Sequence, residues 1–150
     1  MNNKIRIGID PAFRRNGFGI CIIDETNDVR FLRIKLFQDF IFWLMTDSPP
    51  GGVRCVVENS NMQDVTFRRG GKITHAQSRD AGKNMAISQC VYDLCVWKYG
   101  KSAVLALSPR EKGAKWSMAY AQGVARAMGL KLPAKLSQDN IDAFQLAVRG

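Results

Sequence analysis

Four carboxylates, Asp10, Glu58, Asp139 and Asp142, stand where a folded chain can bring them together. Asp10 closes an alternating segment and Glu58 follows the apolar run Cys55-Val56-Val57. Asp139 and Asp142 are three residues apart, which puts them on one face of a helix. An ionised carboxylate at the edge of a core is costly unless it is paired or bound to metal. Several together, with no histidine ligand, make a hard oxygen site suited to Mg²⁺, with Mn²⁺ as a substitute. Two such ions about 4 Å apart activate a water and stabilise the leaving oxygen in phosphodiester cleavage. Each acid alone has a plainer role: Asp10 before Pro11 fits a turn, and an Asp at a helix start offsets the dipole. Their joint position at the ends of the expected elements favours chemistry over either role.

Those elements follow from periodicity. Lys4–Asp10 alternates strictly, with Ile5, Ile7 and Ile9 on one face and Arg6, Gly8 and Asp10 on the other. Pro11 ends that strand, and Arg14-Arg15-Asn16-Gly17 forms a turn. Strands over Phe18–Asp24 and Val29–Lys35, joined by a polar turn at Glu25–Asp28, complete an antiparallel meander. Phe37, Phe40, Ile41, Leu44 and Met45 have helical spacing over 37–46, and Ser48-Pro49-Pro50-Gly51-Gly52 stops that helix. Val53–Glu58 is a strand covered on both faces. Asn59–Ser78 follows neither period and is long for a connection, which marks it as functional or mobile. Arg79 to about Lys98 is a long amphipathic helix, Ser102–Leu107 a short strand, and Trp116–Met128 and Asp139–Val148 are helices. The order β-β-β-α-β-α-β-α-α predicts an α/β, ribonuclease-H-like fold. It would have a five-stranded mixed sheet, its first three strands antiparallel, with helices on both faces.

The chain of 150 residues fits a single domain over 1–150, and 46% hydrophobic residues supply a core. Lys and Arg total 22 against 13 Asp and Glu, a formal net charge of +9, which favours a polyanionic partner. No apolar run approaches the roughly 20 residues that cross a bilayer, and Met-Asn-Asn-Lys opens no signal peptide. A cytoplasmic protein without a membrane partner is expected. Cys21, Cys55, Cys90 and Cys95 form no Cys-x-x-Cys pair, so zinc is disfavoured and buried reduced thiols are expected. The single histidine, His75, sits in a polar stretch as a solvated loop residue, which argues against a Ser-His-Asp hydrolase.

Ile-Gly-Ile-Asp-Pro-Ala-Phe-Arg-Arg-Asn-Gly-Phe-Gly (7–19) is similar to the first motif of the RuvC-type Holliday-junction resolvase family. Val-Val-Glu-Asn (56–59) resembles its second, and Asp-Asn-Ile-Asp-Ala (139–143) resembles its closing helix. Ser-Pro-Arg-Glu-Lys (108–112), with Lys115, is like its basic segment. The resemblance implies that Asp10, Glu58, Asp139 and Asp142 bind metal, and that Lys112 or Lys115 contacts the scissile phosphate region. It further implies a homodimer, with 79–98 as the candidate interface, that makes symmetric nicks in four-way junctions and leaves 5′-phosphates. Ala12 stands where the family has Gly, and the glycine tract between its basic residues is shortened to Gly113-Ala114. The small size and altered motifs fit a phage-borne member that works in an infected host.

Arg68, Arg69 and Lys72 around Gly70-Gly71 make a cationic tip suited to phosphates, and Phe67 beside them suits stacking on an opened base. Arg14 and Arg15 are a second candidate phosphate contact. A solvated hairpin with Phe67 packed beneath it is the competing reading. For the face from Cys90 to Trp97, core packing and dimer contact stay open. Two other functions compete with junction resolution: a ribonuclease-H-like nuclease of hybrids or flaps, and a noncatalytic junction-binding module. A sugar-kinase or actin-like ATPase is disfavoured, because Asp10-Pro11-Ala12 lacks the glycine of its phosphate loop.

Overall fold

The computed structural model describes residues 4–11, 17–60 and 75–150; of 75–78, 80, 81 and 84 it describes the backbone alone. The alternation of the first segment becomes β1 (Ile5–Asp10), with Ile7 and Ile9 fully buried. β1 pairs antiparallel with β2 (Phe18–Ile23), which pairs antiparallel with β3 (Val29–Ile34). At the β2–β3 turn the Asp24 carboxylate accepts from Thr26 N, Thr26 Oγ1 and Asp28 N at 2.7–2.9 Å, and these bonds lower its pKa. Asn27 takes a φ of 66°, a conformation that asparagine tolerates.

After α1 (Phe37–Thr46) the chain returns through β4 (Val53–Glu58), parallel to β1 with Ile7 opposite Cys55 and Ile9 opposite Val57. α2 (His75–Tyr99) then leads to a 3₁₀ turn at Lys101–Ala103 and to β5 (Val104–Leu107), parallel to β4. α3 (Pro109–Lys112), α4 (Met118–Ala127) and α5 (Gln138–Ala147) follow. The sheet order β3-β2-β1-β4-β5 is the mixed, ribonuclease-H-like arrangement that the element order predicts.

Two layers of side chains cover the sheet. Ile7, Ile9, Ile20, Ile22, Cys55 and Val57 face α1 and α2, against Phe40, Trp43, Leu44, Val91 and Cys95. On the other face, Cys21 and Ile23 pack with Ala121 and Ala125 of α4 and Ile141, Ala143 and Phe144 of α5. α5 reaches the sheet closely because glycine stands beneath it. A Cβ on Gly8 would lie 2.0 Å from the Ala143 carbonyl oxygen, and one on Gly19 would lie 2.5 Å from that of Asp139. These neighbours are backbone atoms and cannot swing aside. Gly8→Ala is therefore expected to cost about 3 kcal/mol or more, measured by urea unfolding, and to lift α5 and its acids from β1.

Several boundaries and faces differ from expectation. α2 starts at His75 instead of Arg79, so His75 opens a helix, and α4 lies inside the expected span of 116–128. α3 was not expected; at four residues it is too short for helical periodicity to register. On α1, Phe40, Trp43 and Leu44 are buried, whereas Ile41 and Met45 are exposed along with Phe42. That helix is apolar nearly all round, so spacing did not single out the inner face. Cys90 is exposed, contrary to the expectation for the thiols; Cys21, Cys55 and Cys95 are buried. From Cys90 to Trp97, Val91 and Cys95 pack in the core with Leu94 against them, whereas Cys90 and Trp97 are exposed, so this stretch turns one side to the core and another outward.

Candidate metal centre

Asp10 is the last residue of β1, on the same face as Gly8, beneath α5. Because Ile9 pairs with Val57 in parallel register, Asp10 and Glu58 stand side by side at the C-terminal ends of two adjacent central strands. α5 begins at the Ser137 N-cap, whose Oγ accepts from Asn140 N at 3.3 Å. Its first turns carry Asp139 and Asp142 on the face laid over Gly19 and Gly8. One carboxylate oxygen from each of Asp10, Asp139 and Asp142 lies within 4.8 Å of the other two. Asp139 is 8% and Asp142 2% exposed.

Lys112 enters this group from α3. Ser108 and Glu111 form a capping box at 3.1 and 3.2 Å, and Pro109 takes the first turn, where no donor is missed. The Lys112 carbonyl accepts from Gln145 Nε2 at 3.1 Å and from Arg149 Nη2 at 2.7 Å. So anchored, the 5%-exposed lysine puts Nζ 2.7 Å from Glu58 Oε2 and 3.7 Å from Asp142 Oδ2. Gln138 Nε2 donates to Asp142 Oδ1 at 2.9 Å, and Arg33 Nη2 lies 3.7 Å from Asp139 Oδ2.

The electrostatics match this crowding. Burial, followed by the charge of Glu58, raises the Asp10 pKa to about 7; Lys112 opposes the rise, and Asp142 and Asp139 add to it. For Lys112, burial acts to lower the pKa, but Asp10, Glu58 and Asp142 outweigh it and the net shift is upward. Three carboxylates meet in a partly dehydrated place and repel one another there. Oxygen-only donors at this spacing fit a hard divalent cation such as Mg²⁺ or Mn²⁺.

The structure thus brings together Asp10, Asp139 and Asp142, and joins Glu58 to them through Lys112. Lys115 is exposed on the connection between α3 and α4. Arg14, Arg15, Phe67, Arg68, Arg69 and Lys72 lie outside the described residues. Sequence reasoning missed Arg33, Gln138, Gln145 and Arg149. A signal existed for Gln145, a polar residue set among Ile141, Ala143, Phe144, Leu146 and Ala147, and it is 1% exposed. Its Nε2 also reaches the Ala114 carbonyl, 3.1 Å away, so it ties α5 to the segment that carries both lysines.

No protein-family model matches the sequence, and no curated protein matches it. Two solved RuvC structures are similar to it. One is T. thermophilus RuvC in complex with Holliday junction substrate, with 18% identity, 96% of this chain and 90% of that chain covered, and a TM-score of 0.49. The other is a Thermus thermophilus RuvC structure, with 14% identity, 96% and 91% covered, and a TM-score of 0.45.

Proposed function

We propose that this chain is a divalent-metal-dependent endonuclease that resolves four-way or otherwise branched DNA by paired nicks. The observation that carries the reading is the convergence of Asp10, Asp139 and Asp142 from β1 and α5, with Glu58 and a buried lysine beside them. A binding module gains nothing from buried negative charge aimed at DNA, whereas a hydrolase needs it to hold a cation. The bound cation supplies Lewis-acid charge for attack by water and for the leaving oxygen. Asp10, Asp139 and Asp142 would hold it, Lys112 fixes the Glu58 carboxylate, and exposed Lys115 is open to a backbone phosphate. The +9 net charge supports a nucleic-acid partner, and the motif resemblance supports a branched one.

Paired nicks require two sites. The outer face of α2, with Ala86, Cys90, Asp93 and Trp97 exposed and Trp97 at 66%, supports a homodimer formed through 79–98. Among the described residues no helix is long and apolar enough to cross a membrane. The reading places the protein in the cytoplasm of a bacterial or phage-infected cell. The test is cleavage of a synthetic four-way junction, an RNA–DNA hybrid and a flap, side by side, in Mg²⁺, Mn²⁺ and EDTA. Symmetric junction nicks in either metal and none in EDTA are expected. Preference for the hybrid or flap would reassign the substrate, and tight metal-independent binding without cleavage would contradict an enzyme.

A further inference from the structure

Lys112 is out of place in a centre built only to hold cations. Its ammonium is itself a cation, 5% exposed, set between Glu58 and Asp142. Glu58 gives Oε2 to that ammonium at 2.7 Å, and it is not one of the three acids whose oxygens lie within 4.8 Å of each other. The lysine's backbone is fixed by the capping box before it and by Gln145 and Arg149 on its carbonyl. It is therefore part of a rigid element and not a surface side chain that happens to fold inward.

We infer that Lys112 takes the place of a second metal ion, so that the centre binds one divalent cation, on Asp10, Asp139 and Asp142, while Glu58 binds the lysine instead of metal. The inference rests on the metal-centre reading above and deepens it. Charge supports it among the described residues: the Lys112 ammonium already pairs with Glu58 at 2.7 Å and lies 3.7 Å from Asp142, so positive charge stands on the Glu58 side of the centre before any ion binds. A second divalent ion beside Glu58 would meet the ammonium at contact distance, a like-charge pair in a place with little water to screen it. The ammonium also supplies a fixed positive charge where a two-ion centre would place its other cation, available to a developing oxyanion without a second binding event.

Calorimetric titration of Mn²⁺ into the intact chain, without DNA, tests this. The wild type should take one ion per chain, Lys112→Met should take two, and Glu58→Gln should keep one ion with affinity little changed. Asp142→Asn should lose affinity at least about tenfold. Should Lys112→Met fail to fold, the wild-type and Glu58→Gln titrations still decide. Two ions in the wild type, or a loss in Glu58→Gln as large as in Asp142→Asn, would overturn the inference and leave the metal centre standing. No binding by the wild type would instead overturn the metal centre itself.

Discussion

Asp142→Asn is expected to leave the chain folded and to lower Mg²⁺-dependent nicking of branched DNA about a thousandfold or more. The side chain is 2% exposed and held on both sides, by the Gln138 amide at 2.9 Å and the Lys112 ammonium at 3.7 Å. Asparagine has the same shape and can still accept from Gln138, so packing changes little. It lacks the charge, and with it one of three carboxylates that share a cation. Single-turnover cleavage of a labelled junction reads the activity, and urea unfolding of the same sample reads the fold. Activity within tenfold of wild type, from a folded variant, would remove Asp142 from the mechanism.

Asp10→Asn should abolish activity and yet stabilise the metal-free protein at pH 8, by up to about 4 kcal/mol. The folded-state pKa of Asp10 is raised from 3.8 to about 7, above the unfolded value, so the folded chain holds the proton more tightly. Wild-type stability therefore falls as pH rises through this interval, and the cost is full above pH 7. Asparagine never ionises and escapes it, while Lys112 keeps Glu58 and Asp142 as partners. Urea titrations in EDTA from pH 4 to 8 should show the two proteins converging at the acid end and parting towards neutrality. Added Mn²⁺ at pH 8 should stabilise the wild type and not the variant. A wild type at least as stable as Asp10→Asn at pH 8 would refute the strain assigned to this carboxylate.

Much of this arrangement was legible in the chain. Strict alternation over Lys4–Asp10 set both the strand and the face that Asp10 shares with Gly8. The apolar run before Glu58 placed that acid at a strand end, and the spacing of Asp139 and Asp142 put both on one helix face. What stayed hidden depends on contacts between distant segments. Lys112 and Lys115 are indistinguishable as neighbours in a basic stretch; only the docking of α3 beneath Gln145 and Arg149 buries one and leaves the other exposed. The reason for glycine at 8 and 19 emerges only once α5 lies over both. The Ser108–Glu111 capping box was a readable sign of α3, though four residues carry no periodic pattern to support it. On α1, a helix with apolar residues on nearly every side gives no contrast from which to choose its buried face.

The most direct measurement is anomalous X-ray diffraction from crystals of this chain grown or soaked in Mn²⁺. The account predicts a strong anomalous peak within about 2.5 Å of carboxylate oxygens from Asp10, Asp139 and Asp142 together. An occupied manganese site elsewhere with that pocket empty, or these side chains turned away from one another, would contradict it.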